Sequence, residues 1–435
     1  MLSASASVRV SAQQTQAQPE APEVHEHVDV AGTLLTPTTD FSGTAWLPKA
    51  TPMLGLHRSW REWDLRLDGT MFVQFLYEPG ERHRTGGAAT DQLVSPNWVM
   101  AMARRRVGTG RFGLRTMLSA EPWTVSDCGA LNYLAVGEVC DNDTIHDREQ
   151  PHDLVMELAA DYDGPLKGEW RWQAYAGLAG EPAFGPTAYP HRPSASINPI
   201  APISHHWLDA THIAFGVVTA GVHNQRVKAE ASIFNGRSPD EQRTNLDLGA
   251  FDSASGRLSV LPTDRLSLQL SVAHMRNPRA IFEGLPNAMV TSISASGTYV
   301  RTFGPGTSWS STAAFGFSTG REIVSGIPFD STNGAALVET SMTIADRHTV
   351  FGRAELAAIP AHHLHAFEFG GENLTAGKLE GGYVRQFSIG KGLSPGVGGT
   401  AGISLLPPEL APRYSGSVVP SFSVFFLFRP TRHAM

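Results

Sequence analysis

The sequence predicts an all-β fold, a transmembrane antiparallel β-barrel of about 16 strands with short periplasmic turns and long extracellular loops. Three observations carry this expectation. Apolar and polar residues alternate with period two along most of the chain, which marks strands with one apolar and one polar face. Tight turns and longer loops take turns as connections, as in a barrel inserted from one side of a membrane. The longest apolar runs, such as Val424 to Phe428, fall far short of the roughly 18–20 residues that a helical membrane span needs.

The first strand is read from Leu65, Leu67, Met71, Val73 and Phe75, alternating with Asp64, Arg66, Asp68, Thr70 and Gln74. The same rhythm recurs at Trp170, Trp172, Ala174 and Ala176, and again at Leu266, Leu268, Leu270 and Val272. Strands are placed near 63–77, 94–105, 110–121, 152–163, 167–179, 210–220, 225–235, 253–261, 265–275, 288–303, 307–318, 334–346, 348–359, 379–390, 396–406 and 414–428. Tight turns fall at 107–109, 164–165, 223–224, 262–263, 304–306, 346–347 and at Ser394-Pro395. A soluble sandwich or propeller has no reason to segregate connection lengths to two ends, so the alternation favours the barrel. Trp63, Trp123, Trp170, Trp207 and Trp309 fall at strand ends, where interfacial aromatic girdles sit. An even strand number brings both termini to the turn side, and 122–151 and 180–209 are expected to be the protease-accessible outer loops.

Charged residues make up 17% of the 435, against roughly 25% in an average soluble protein. The formal net charge of -7 and the lack of any basic block exclude a nucleic-acid binder. Cys128 and Cys140 are the only cysteines and are spaced for a local disulfide, which would persist in an oxidising compartment outside the cytoplasm. Residues 1–23 read as a disordered tail or the remnant of an export signal, with Val10-Ser11-Ala12 as a cleavage-like site. Residues 24–60 read as an ordered strap inside the barrel or at its periplasmic mouth, and 61–430 as the barrel itself.

Over about residues 60 to 430 the chain resembles the sixteen-stranded bacterial porins, and SIFNGRSPDE at 232–241 is similar to the strand-end segment of phosphate-selective-type porins. The aromatic final strand Phe422 to Phe428 fits that pattern, although the tail RPTRHAM follows where such barrels usually stop. The resemblance implies an outer-membrane channel for passive diffusion of small hydrophilic solutes, with outer-membrane lipid and the barrel-assembly machinery as partners and a homotrimer as the assembly. It also implies that the third long loop, Glu181 to Asp209, folds inward and narrows the channel.

Charges cost about 2–4 kcal/mol at the lipid midplane, so those opposite the apolar face should line the lumen: Arg66, Arg115, Glu121, Glu157, Arg171, Lys228, Glu230, Arg353 and Glu355. Their mixed signs predict a hydrated pore. Histidine, with 17 in the chain, supplies an alternative, a surface site for zinc or copper built from loop residues His146, His152, His205, His206, His212, His362, His363 and His365. Met53, Met71, Met100, Met102 and Met117 could add soft ligands, but core packing accounts for them more simply. A third reading is an outer-membrane hydrolase using residue types such as His152, Asp153 and Ser232; no catalytic set is assigned. GFSTG at 316–320 and GVGGTAG at 396–402 mimic nucleophile-elbow and dinucleotide motifs but lie in strand patterns with no helix after them.

Overall fold

The computed structural model describes residues 42–79, 90–125, 128–140, 143–276, 288–324, 327–389, 392–414 and 416–431. The tail 1–23 and the first part of the segment 24–60 lie outside these residues. Sixteen strands close into one antiparallel barrel. They are β1 Trp63–Tyr77, β2 Asn97–Val107, β3 Gly110–Leu118, β4 Val155–Pro165, β5 Arg171–Gly180, β6 Ala214–His223, β7 Val227–Phe234 and β8 Ser253–Thr263. Then follow β9 Leu266–Arg276, β10 Met289–Gly304, β11 Thr307–Val324, β12 Ile327–Ile344, β13 His348–Pro360, β14 Asn373–Gln386, β15 Leu393–Leu405 and β16 Val418–Pro430. Each strand pairs with its sequence neighbours, and β16 returns to β1 with Met71 opposite Phe428 and Tyr77 opposite Phe422. Two short strands lengthen the seams: Leu56–Trp60 pairs with the start of β1, and Asp91–Val94 with its end.

The alternation decides which face meets lipid. On β1, Leu67, Met71 and Phe75 point outward while Arg66, Asp68, Thr70 and Gln74 are buried. On β3, Leu114 is 45% exposed beside Arg115 at 3%. Leu268, Leu270, Val272, Phe315, Val338, Leu356 and Val424 continue the apolar exterior around the barrel. In water so wide an apolar surface would drive association; in a bilayer it is the required face. Cross-strand aromatic contacts Trp63–Phe112, Tyr162–Trp172 and Tyr299–Trp309 sit near the turn ends and form part of a girdle.

Three chain segments occupy the interior. Residues 42–54 form a strap that touches Arg115, Lys228 and Arg257 inside the wall before reaching the β8–β9 turn, where the Ala50 N–H donates to the Asp264 carbonyl at 2.8 Å. The loop 181–213 crosses the lumen and is buried over nearly its whole length. A hairpin of Ala130–Cys140 and Asp143–Glu149 packs Tyr133, Leu134 and Val136 onto Ile203 and Trp207 of that loop and onto Leu364, Leu410 and Tyr414 of later loops.

Several expectations are corrected. Ser394-Pro395 lies inside β15, paired with Arg429 and Phe428, and the turn falls between Gln386 and Leu393. The region 319–333 is not a loop: β11 and β12 continue outward to Val324 and Ile327, because Ser, Thr and Phe residues there keep pairing. Trp207 belongs to no girdle; it is 1% exposed, inside the lumen against β11. A Cβ on Gly316 would sit 2.1 Å from the Trp207 carbonyl oxygen, so the strand can accept this close approach only as glycine. Glu121 lies beyond the end of β3 on a short helix, Glu121–Thr124, and not on the wall. The loops 122–151 and 180–209 are mostly buried, so the surface that proteases meet lies elsewhere.

Trypsin added to intact cells should therefore cut after Arg237, which is exposed in the loop following β7, and spare Arg192 in the lumen and Arg265 and Arg347 at the periplasmic turns. Cleavage after Arg265 with Arg237 intact would invert the topology. Leu114→Arg should lower unfolding stability in lipid vesicles by about 2–4 kcal/mol, and a neutral result would place that position off the lipid face.

Candidate functional site

The lumen is shaped by ion pairs between the wall and its contents. Arg115 donates to the carbonyl of Gly43 in the strap at 2.6 Å and pairs with Glu157 at 3.2 Å. The Tyr175 hydroxyl donates to the same Glu157 oxygen at 2.8 Å. On the next part of the wall, Lys228 donates to the Thr44 carbonyl and lies 4.9 Å over the Trp46 ring. Arg257 bridges Glu230 at 2.9 Å, the Thr44 hydroxyl at 2.9 Å and the Gly185 carbonyl of the inserted loop at 3.1 Å. At the loop's root, Glu181 accepts a hydrogen bond from Ser42.

The inserted loop is anchored equally firmly to the opposite wall. Arg192 is fully buried; its Nε donates to Glu339 at 2.5 Å and its Nη1 to Asp209 at 3.1 Å. Ser194 donates to Glu339 at 2.8 Å, and Arg353 pairs with the other oxygen of Glu339 at 3.4 Å. Glu355 accepts from the Ser204 hydroxyl at 2.8 Å, Glu380 from Asn198, and Asn333 from the Trp207 indole at 2.5 Å. Burial of such charges is tolerable only because each has a partner, and removing one partner of a buried pair typically costs 3–5 kcal/mol.

Arg66, Arg115, Glu157, Lys228, Glu230, Arg353 and Glu355 thus face inward, as the alternation predicts, but none of them is more than 7% exposed. They are held under the strap and loop rather than spread along open water. Arg66 pairs with Asp68 at 2.9 Å. Arg171 sits at the turn-side rim, sharing Asp163 with Arg111 and His223, so it does not belong to the constriction. Sequence reasoning missed Arg192, Arg257, Glu339 and Glu380, although the last three occupy inward positions of their strands and that parity would have marked them.

The histidines do gather, as two groups near the loop side. His152 approaches His212, and His212 approaches His205, with ring centroids 5.3 and 5.0 Å apart, and His206 lies 5.1 Å from His205. Oxygen acceptors hold their Nδ1 atoms: Glu121 for His152 at 2.9 Å, the Asp209 carboxylate for His205 at 2.7 Å and the Asp209 carbonyl for His212 at 2.8 Å. In the second group His146 pairs with Asp147 at 3.0 Å and lies 5.3 Å from His365, while His362 stacks on Phe329 and contacts His363. Among the described residues, no three His, Cys, Asp or Glu side chains are placed to hold a metal ion. The methionines divide likewise: Met100, Met102 and Met117 join Met156 in an apolar patch inside the wall, Met53 lies in the strap and Met71 faces lipid.

The residue types considered for a hydrolase do not meet. Ser232 is bonded to the Ala183 N–H at 2.7 Å and to Thr219 at 2.6 Å, whereas His152 turns to Glu121 and Asp153 to Arg243. Cys128 and Cys140 form the disulfide, which joins the chain just before the hairpin's first strand to the last residue of that strand. Burial would push Asp209 up, but His205 and Arg192 outweigh it and hold the carboxyl at about 2, so it stays ionised and keeps His205 and Arg192 oriented.

Burial also opposes charge on His152, yet Glu121 beside it prevails and raises its pKa above 6.5. Protonated His152 then contributes stability that is fully present below 6.5 and is lost as pH rises through the raised value. Glu121→Gln should lower the His152 titration midpoint, read by NMR of ring-labelled histidine, and remove that part of the pH dependence; an unchanged midpoint would show that Glu121 does not set it.

No protein-family model matches the sequence, and no curated protein does. Solved structures do. The outer membrane channel DcaP of Acinetobacter baumannii superposes with a TM-score of 0.50 at 9% identity, covering 87% of this chain and 100% of that one. Salmonella typhi OmpF in complex with daunomycin superposes with a TM-score of 0.50 at 10% identity, covering 86% and 100%. At such identities the likeness is one of fold: this chain is a porin-like β-barrel, an architecture that fits the outer membrane.

Proposed function

We propose that the protein is an outer-membrane channel for passive diffusion of small hydrophilic solutes, and not an enzyme. The observation that carries this reading is a closed barrel with an apolar exterior whose polar lumen is narrowed by the inserted loop and strap, an arrangement suited to selecting solutes by size and charge. One superposed structure is itself described as an outer membrane channel, which supports the reading. Outer-membrane lipid, the barrel-assembly machinery and further copies of the chain in a homotrimer are the partners this function calls for. Because inward charges are spent on holding the strap and loop, selectivity depends on how those segments are seated as well as on the charges themselves.

Reconstitution into planar bilayers should give discrete, small conductance steps; a protein that folds and inserts without passing current would overturn the channel reading. Arg115→Glu sets a second carboxylate beside Glu157 and frees the Gly43 carbonyl. It should shift the reversal potential toward cation preference and enlarge the conductance, while Leu114→Glu should impair assembly, since that side chain faces lipid. If Leu114→Glu changed only selectivity and Arg115→Glu abolished folding, the assignment of faces would be reversed.

A further inference from the structure

Between the strap, the inserted loop and the walls of β1, β10, β11 and β12 lies a cleft, partly open to the lumen, with enclosed room for roughly six water molecules at about 10–15 Å³ each. Hydroxyls dominate its polar lining. Thr51 reaches it from the strap, Thr70 from β1, Ser196 from the loop, and Ser308, Ser341 and Thr343 from β11 and β12. Thr51 is 7% exposed, and its buried hydroxyl oxygen has no hydrogen-bond partner among the described residues. A buried hydroxyl left in that state is unfavourable and is a place where a ligand atom would be welcome. On one side the half-buried Trp98 presents its indole, steadied by His191 at 4.4 Å between ring centroids.

Charge on the lining is balanced. Asp68 and Arg429 are its two charged side chains, one of each sign, and both have protein partners: Asp68 accepts from Arg66 at 2.9 Å and Arg429 donates to Gln386 at 2.7 Å. Burial, helped by Arg115 and Arg66, holds His191 down at about 3, so its ring is neutral at physiological pH. A carboxylate or phosphate solute would meet no surplus of positive charge here. A neutral polyol meets hydroxyls that both donate and accept, a carboxylate and a guanidinium at the edge, and an aromatic face for its C–H surface.

We propose that this cleft binds one sugar ring of a neutral polyhydroxylated solute, any further ring projecting into the open lumen, with Trp98 as the stacking wall and Thr51 as a hydrogen-bonding contact. Arrival of the solute rests on the channel reading above; binding itself does not.

The test titrates the full chain in detergent micelles with maltose as the probe, followed by calorimetry, against succinate and inorganic phosphate under the same conditions. Saturable maltose binding at least tenfold tighter than either anion is expected. Trp98→Ala should abolish it; because that change also removes the support of His191, Thr51→Val, nearly isosteric and on the strap, serves as the second variant and should weaken maltose binding about three- to tenfold. Preference for either anion, absence of maltose binding by a protein that still conducts ions in planar bilayers, or maltose binding untouched by both variants would overturn the proposal. Maltose binding that is sensitive to the variants in a protein that passes no current would uphold the site and count against the channel.

Discussion

The carboxylate of Glu339 is the fixed point on which the interior depends. It projects inward from β12 and accepts hydrogen bonds from Arg192 and Ser194 of the inserted loop, while Arg353 on the neighbouring strand partners its other oxygen. A loop made of residues such as Pro186, Pro190, Pro193 and Pro199 has few backbone N–H groups to offer and cannot form a sheet with the wall. Its place must therefore be set by side chains. In a low-dielectric interior an unpaired guanidinium is far too costly to leave, so Arg192, Glu339, Arg353 and Asp209 define one seating of the loop, to which Glu355 with Ser204, Glu380 with Asn198 and Asn333 with Trp207 are fitted.

From that seating the rest of the lumen follows. The buried loop offers Ile203 and Trp207 as an apolar surface, on which the disulfide-bonded hairpin packs Tyr133, Leu134 and Val136. On the other side the strap threads under Arg115, Lys228 and Arg257, and Glu181 accepts Ser42. The space left between strap, loop and the hydroxyl-rich wall is the cleft lined by Thr51 and Trp98. The barrel supplies a rigid frame through continuous strand pairing, and the specificity of the interior is laid over it by charges whose partners lie far away in sequence.

Period two made the barrel legible from sequence, because one strand residue in two must satisfy lipid and the next must satisfy a polar interior. Leu114 and Arg115 show how completely this constraint sorts neighbours. What fills the lumen left a weaker trace. Arg192 and Glu339 are separated by 147 positions, and no local pattern joins them. The Pro-rich loop has the composition of an exposed loop, and Trp207 looked like an interfacial residue since it stands near a strand end. Continued alternation carries β3 on to Glu121, although the strand stops at Leu118 and the carboxylate is taken by the Asn97 and His152 N–H groups. Loop histidines in such number allow them to converge, but sequence does not show that carboxylates and carbonyls hold the Nδ1 atoms of His152, His205 and His212, or that no three metal-binding side chains are suitably placed among the described residues.

The measurement that reaches the central claim most directly is the single-channel conductance of Glu339→Ala beside the wild type in planar bilayers, with circular dichroism confirming equal sheet content. Removing this carboxylate leaves Arg192 and Arg353 without their shared partner and takes away the loop's charged anchor on β12. If the loop is what narrows the lumen, conductance rises and its steps become noisier. Equal conductance in the two proteins, with the barrel intact, would contradict the account.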